Sequence, residues 1–503
     1  MKIVKQSVAE IKYQGQEHLT QLFEQVEQAV RMCEAAHEVE QQIFRSLLQL
    51  GRQVLGYYFQ LAGDGDQGES LRLDDGRVVK RLESSSPKSY QTIFGEFELE
   101  RRVYAVREGQ CHECIPLDAQ LQLPQSTLSY LLQDWSQALA AEMPYQQAQS
   151  VLERILEVRI AVSKLERVNV AMSSDVAHYL ETVCAVPSPD SEFLVISGDG
   201  KGVPMRKPPG SARILNHDNK RGPKPDRKKM AIVGAVYDAQ TYERSAYQVW
   251  QALFDQIPEA ANDEDSAPRP KPITKVVRAA LTDIDEHGEE INARETIFSW
   301  LGEQVQQRDP QQNKPVIVLM DGQACLWDDA AQALGVRSSV EILDLLHATS
   351  KLWDLVHVFH PSGSDEEMPA MKLFTLLLLQ GGVDHIVTWF RHGANESQLS
   401  ASERRRVENI CGYFENHRTR MRYDEYLAAG YPIASGVIEG ACRHVVKDRM
   451  ERSGMHWTRV GAQAMLALRC VAINEQWSCF TQFHIQQENK QLYPYRAQLS
   501  FPE

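Results

Sequence analysis

The sequence predicts a multidomain α/β protein, and three observations carry that expectation. Its 503 residues imply roughly three or four domains at ~150 residues each. Two apolar runs, Phe193-Leu194-Val195-Ile196 and Val316-Ile317-Val318-Leu319-Met320, have the length and composition of buried strands. Long stretches on either side of this middle region show the three- and four-residue apolar spacing of helices. The apolar fraction of 43% and charged fraction of 24% are those of an ordinary globular chain. No apolar run approaches the ~20 residues of a membrane span; the longest, Leu373 to Leu379, reads as a core helix. The start, Met1-Lys2-Ile3-Val4-Lys5-Gln6, lacks the apolar centre of a signal peptide, so a cytoplasmic location is expected.

Residues 1–75 read as an N-terminal helical region. Leu19, Leu22, Phe23, Val26, Val30 and Cys33 form a stripe that calls for a partner helix, from this chain or a second subunit. Residues 62–76, rich in Gly and Asp, read as a flexible connector. Residues 76–125 form a second segment. Within it, alternation over 91–106 predicts a β-hairpin turning near Gly95, followed by Cys111-x-x-Cys114 and Pro116-Leu117-Asp118. The nine scattered cysteines argue against a disulfide framework. Cys111 and Cys114 have zinc-like spacing, but a closed site needs four ligands. No second pair lies nearby, so the two read as ordinary thiols.

Residues 126–185 return to helix. A short helix near 144–152, a tight connection at 157–160 and a second helix from Ser163 carrying Lys164 and Arg167 satisfy a DNA-binding helix-turn-helix. An ordinary helical hairpin satisfies the same pattern. Residues 190–345 read as a mixed α/β core, with strands at 193–198, 230–237, 244–250, 315–320 and 340–345 and helices at 290–307 and 323–334. A surface loop is expected over 257–272. Residues 346–430 read as all-helical, 431–480 as the helical completion of the core, and 481–503 as a loosely held tail.

Three carboxylates stand out. Asp199 follows the first buried run and precedes Gly200-Lys201-Gly202, and Asp321 ends the second run before Gly322. Glu439 opens a helical stretch rich in Arg and Lys, with Ser435 as its expected N-cap and Ser453-Gly454 as its stop. Strand-end acids are fixed on one side and solvated on the other, and such hard oxygen ligands suit Mg2+ or Mn2+. Two ions ~4 Å apart can activate a water and stabilise a leaving oxygen in phosphodiester chemistry. Glu439, Arg443 and Lys447 are four residues apart, so a regular helix would put two cations beside the carboxylate. A simple ion pair between Glu439 and Arg443 is the alternative.

The net charge of −14 looks wrong for a nucleic-acid partner, but the distribution matters more. Between Lys201 and Lys229 lie ten Lys/Arg and two Asp, a local +8, which leaves −22 for the rest. Lys201, Arg206, Lys207, Arg227, Lys228 and Lys229 are therefore candidate phosphate contacts directly after Asp199.

Five strands interleaved with helices, acids at the first and fourth strands and a last acid on a late helix fit a ribonuclease-H-like core. Asp199-Gly200, Asp321-Gly322 and Glu439 then resemble the DDE triad of bacterial insertion-sequence transposases. Asp344-Leu345-Leu346-His347 resembles the (C/D)-x-x-H motif of Mutator-like transposases. The segments around Pro116-Leu117-Asp118, Ser197-Gly198-Asp199-Gly200 and Gly454-Met455-His456-Trp457 resemble the ISKra-type family in particular. The likeness spans roughly 90–477. It implies a ribonuclease-H-like catalytic core, with 346–430 as an all-helical insertion between Asp321 and Glu439, which are 118 residues apart. One departure is Lys201, where Asp-Gly-Thr-Gly would be expected; the zinc-ribbon-like cysteines of some relatives are halved here.

The resemblance implies a DNA transposase that cleaves and joins the ends of an insertion sequence. Asp199, Asp321 and Glu439 would ligate two Mg2+ (or Mn2+), supported by Asp344 and His347. Trp457 would stack on an unpaired base, or else sit in the core. Partners would be terminal inverted repeats, target DNA and a second copy of the chain, with no membrane, in the nucleoid-associated cytoplasm. Two other readings fit the same residues: a transposase-derived, non-enzymatic DNA-binding protein, and another ribonuclease-H-like nuclease such as a junction resolvase.

Overall fold

The computed structural model describes residues 8–73, 76–106, 114–206, 228–254, 269–284, 287–452 and 454–499. The chain divides into two compact units, one comprising Met1–Tyr179 with Glu475–Glu503 and the other Leu180–Asn474. Among the described residues, no helix is long and apolar enough to cross a membrane.

The first unit opens on two long helices, α1 (Val8–Arg31) and α2 (Ala36–Ala62), folded back on each other. Ile11 and Ala29 are buried between them, and His18 Nδ1 meets Gln53 Oε1 at 3.1 Å. The other side of α2 packs on the expected hairpin. Phe59 sits edge-on to Tyr90 and Phe97, with centroids 5.9 and 5.1 Å away. The hairpin pairs Lys88–Thr92 with Gly95–Leu99, so its turn falls at Ile93-Phe94. Gly95 takes φ +114°, a left-handed-side conformation that glycine alone adopts freely. The 62–76 segment is more than a connector: Ser70–Arg72 pairs with Val78–Arg81, and Asp64 and Asp66 form ion pairs with Arg102 and Arg81.

Asp118, in the short helix Pro116–Leu121, is buried against Arg101 (2.6 Å) and Lys88 (3.7 Å). Helices then cover Tyr130–Glu142, Tyr145–Leu156, Val162–Ser173 and Val176–Thr182. The segment expected as a loosely held tail, 481–503, begins inside a helix instead. Trp477–Leu492 is a 16-residue helix that belongs to this unit. Its Trp477 Nε1 donates to Asp134 Oδ1 (2.7 Å), and His484 Nδ1 meets Asp175 Oδ2 (2.7 Å).

The second unit is built on a five-stranded sheet: β1 (Phe193–Pro204), β2 (Lys228–Ala239), β3 (Ile273–Leu281), β4 (Val316–Met320) and β5 (Ser339–Leu343). The spatial order is β5-β4-β1-β2-β3. β1, β2 and β3 are antiparallel neighbours, whereas β4 runs parallel to both β1 and β5. The middle strands are buried on both faces, hence their unbroken apolar runs. The edge amides of Val277 and Leu281 are capped by Asn474 Oδ1 and Gln463 Oε1, which closes an edge that could otherwise recruit another strand.

Two expectations fail on the third strand. The segment read as a strand at 244–250 is the helix α3 (Ala246–Phe254). The third strand is β3, a stretch for which no strand was expected. Ser245 and Gln248 explain the helix by bonding each other's backbone amides, a capping box. The expected helices appear as α4 (Ala293–Arg308) and α5 (Ala324–Leu334). From Leu345 to Ala428, the described regular structure is entirely helical, beginning with α6 (Leu345–Phe359) and including α7 (Ala401–Asn416).

Candidate active site

The sheet register puts three acids at one level. β1 pairs with β4 as Ile196 to Val318, and β4 with β5 as Met320 to Leu343. Continuing both registers brings Asp199, on β1, level with Asp321 and Asp344, each one residue past the end of its strand. Each acid is then held differently. Asp199 Oδ1 accepts from its neighbour's amide, Gly200 N (2.6 Å). Its Oδ2 accepts from Cys442 Sγ (3.3 Å), a thiol that burial and the Asp199 charge keep protonated. Asp321 Oδ1 accepts from Gln323 N (2.9 Å) in a local turn.

Asp344 is fully buried and organises the others. As N-cap of α6, its Oδ2 accepts from His347 N (3.2 Å) and from His347 Nδ1 (2.7 Å). Its Oδ1 accepts from Ser435 N (2.7 Å). That last bond pins the start of α8 (Gly436–Ala441), the helix that carries Glu439. Ser435 holds the N-cap position, yet its side chain makes no capping bond, so the expected Ser435 cap is replaced by a tie to Asp344. Asp344, His347 and Glu439 each present one ligand atom within 4.8 Å of the others.

The helix does not continue regularly past Glu439. Cys442–Lys447 is a π-helical segment, a rare conformation concentrated at functional sites. Its wider turn breaks the expected shared face of Glu439, Arg443 and Lys447. Arg443 pairs with Asp448 (3.6 Å), and Lys447 is exposed. The π segment also delivers Cys442 to Asp199.

The charges in this cluster act on one another. Burial holds the Asp321 carboxyl above its ordinary range; Gln323 N opposes this, and the Asp199 and Asp344 charges add to it. Glu439 is raised by burial and by Asp344 and Asp199, with His347 opposing. His347 is raised by its bond to Asp344 and, against burial, by the charges of Asp344, Asp321 and Asp199. The exposed Glu439 carboxylate makes no hydrogen bond or ion pair with the described residues. Clustered carboxylates that disfavour each other's ionisation, one of them unpartnered, with an imidazole alongside, fit a hard divalent cation.

One further residue, without a signal of its own in the sequence, joins this cluster. Tyr413, on α7, lies against Gly322, where any side chain would strike its hydroxyl and ring. Burial and the Asp321 and Asp344 charges push its phenol up to about 12. His417 packs on its ring at 4.7 Å, and Lys351 Nζ lies 5.9 Å from the centroid. The glycine after Asp321 was the available signal, but only tertiary contact shows what fills the space.

Other candidates fall elsewhere. Lys201 follows Asp199 on β1, half-buried, and its charge opposes the rise at Cys442. Arg206 Nε donates to His456 O (3.2 Å), Lys228 pairs with Glu451, and Lys229 is exposed at the start of β2. Lys207, Arg227 and Cys111 lie outside the described residues, and Cys114 is a buried free thiol. Lys164 and Arg167 belong to the first unit. Lys164 Nζ donates to Gln91 Oε1 (3.4 Å), and Arg167 is exposed and donates to Ser163 O.

Of the two readings of Trp457, the structure has the core one and not the base-stacking one. It is 7% exposed, its indole N–H donates to Met450 O (3.0 Å), and Arg449 lies over its ring at 5.0 Å. Its backbone extends the β1 edge through Pro204 O and Arg206 N. A ring held this way packs the core and has no free face for a base.

Neither a scan against protein-family models nor a search of curated proteins finds a match to this chain.

Proposed function

We propose that this protein is a DDE-type transposase with a ribonuclease-H-like core, cleaving the ends of an insertion sequence and joining them to target DNA. The observation that carries the reading is the common level of Asp199, Asp321 and Asp344, with Glu439 tied to it through Ser435 and Asp344. Five strands in mixed order, acids at the first and fourth and a last acid on a late helix support the ribonuclease-H-like assignment.

Asp199, Asp321 and Glu439 would hold Mg2+ or Mn2+; of the three, Glu439 belongs to the group with Asp344 and His347 whose ligand atoms lie within 4.8 Å of one another. Such ions supply a water or 3′-hydroxyl of lowered pKa and charge stabilisation for the leaving oxygen. The protein's own contribution is positioning. Gly200 N and Cys442 orient Asp199, Gln323 N orients Asp321, and Asp344 fixes both His347 and the Glu439 helix. The protonated Tyr413 hydroxyl can donate to a phosphate oxygen beside Asp321. Lys201 and the basic segment after it would meet the DNA backbone.

The test uses the full chain, Mg2+ and DNA carrying the inverted repeats that flank its gene. The wild type should nick and join those ends. Asp199→Asn should lower cleavage by at least about 10^3-fold while leaving end binding intact. Full cleavage by that variant sinks the assignment. Cutting of branched DNA without preference for those ends reassigns the site to another nuclease.

A further inference from the structure

We infer that the α1–α2 hairpin is a dimerisation element whose exposed apolar face takes the same face of a second copy of this chain. The two helices meet through Ile11, His18 and Ala29 on α1 and Gln53 on α2. One residue further along each helix stand exposed apolar side chains: Leu19 and Val30 on α1, Val54 on α2. Phe23, Leu47 and Tyr58 join them. A step of one residue rotates ~100° around a helix. On two antiparallel right-handed helices, that step turns both stripes to the same side of the pair. A groove of about 620 Å³ between the helices at their turn end, lined by residues of both, marks that shared side.

The occupant follows from spacing, area and charge. On α2, Leu47, Val54, Tyr58 and Leu61 recur at intervals of seven, four and three, the seam spacing that receives another helix. The opposite side of α2 is already covered by the β-hairpin through Phe59. The six side chains leave on the order of 600 Å² of apolar surface exposed, the upper end for a monomer's largest patch. With the groove walls this approaches the ~800 Å² per partner of a stable interface. An isologous pairing of this face closes on itself and yields a four-helix arrangement. The polar rim of α1 carries Glu10, Glu17, Glu24 and Glu27 against Lys12 and Arg31, which disfavours DNA or an anionic membrane as the occupant.

The experiment is light scattering after size exclusion on the full chain at about 20 µM, in moderate salt. The wild type should have twice the chain mass. The double variant Phe23→Glu/Val54→Glu should run as a monomer, its dissociation constant raised by at least about 100-fold. Both sites are exposed, so its melting temperature should match that of any wild-type monomer released by dilution. Should the glutamates disturb folding, Phe23→Ser/Val54→Ser gives the same readout without buried charge. A monomeric wild type overturns the inference and leaves the face to another partner. A folded variant that stays dimeric overturns it as well.

Discussion

Gly322→Ala tests the arrangement beside Asp321. A Cβ at this position would lie 2.5 and 2.6 Å from the Tyr413 ring carbons Cε2 and Cζ, and nearer still to the hydroxyl. Real Cβ atoms essentially never approach a neighbour within 3.0 Å, so the phenol or the Asp321 turn must shift. Overpacking of this kind costs ~1–3 kcal/mol, offset by ~0.4–1 kcal/mol from the stiffer unfolded chain. The net loss is about 1–2 kcal/mol, or roughly 2–4 °C in melting temperature for a unit this large. A displacement of even ~1 Å at the reacting centre can lower turnover ~100-fold. The control is the Tyr413→Leu background, which removes the hydroxyl and the two ring carbons nearest that Cβ. There the alanine should lower the melting temperature no further, a coupling of at least about 1 kcal/mol by double-mutant cycle. Calorimetry of the four proteins reads this directly. A Gly322→Ala protein that melts and cleaves like wild type, or four additive values, would show that Tyr413 does not rest on Gly322.

Three further outcomes follow from the same geometry. Asp321 and Glu439 have raised pKa values, so the metal-free fold loses stability as pH climbs through and above the ordinary carboxylate range. Asp321→Asn and Glu439→Gln should therefore melt at or above the metal-free wild type at pH 7, with no advantage near pH 3, as thermal scans across pH would show. Asp118→Ala strands the buried Lys88 and Arg101 cations and should cost ~3–5 kcal/mol by denaturant titration; a loss below ~1 kcal/mol would mean the cluster is solvated. Trp457→Phe leaves Met450 O without its indole partner and should cost ~1–3 kcal/mol while sparing DNA affinity; a tenfold affinity loss at unchanged stability would restore its base-stacking role.

Much of the site was legible because β1 and β4 are buried on both faces. Their apolar runs have no polar interruption, so Asp199 and Asp321 stand out as the residues at which burial ends. The alignment of Asp344 with them depends on pairing register, which no single strand reveals. β3 was missed because its first half, Ile273-Thr274-Lys275, is largely polar and exposed and follows a loop-like stretch. The 244–250 segment also places Tyr247 and Val249 in strand-like alternation. The Ser245–Gln248 capping box argued for helix and outranked it. Nothing in Cys442-Arg443-His444-Val445-Val446-Lys447 announces a π segment, which arises where the Glu439 helix must meet both Asp344 and Asp199. The C-terminal helix was hidden for a similar reason: its partners Asp134 and Asp175 lie more than 300 residues earlier in the chain.

The most direct test of the central claim is Mn2+ binding to the full chain, followed by calorimetry and by the Mn2+ spin-resonance signal. The account predicts two ions per chain in the presence of end DNA. It also predicts loss of that binding in the Asp199→Asn/Asp321→Asn/Glu439→Gln protein, which should still fold and bind DNA. A wild type that takes up no Mn2+ at about 10 mM, or a triple variant that binds it equally well, would contradict the account.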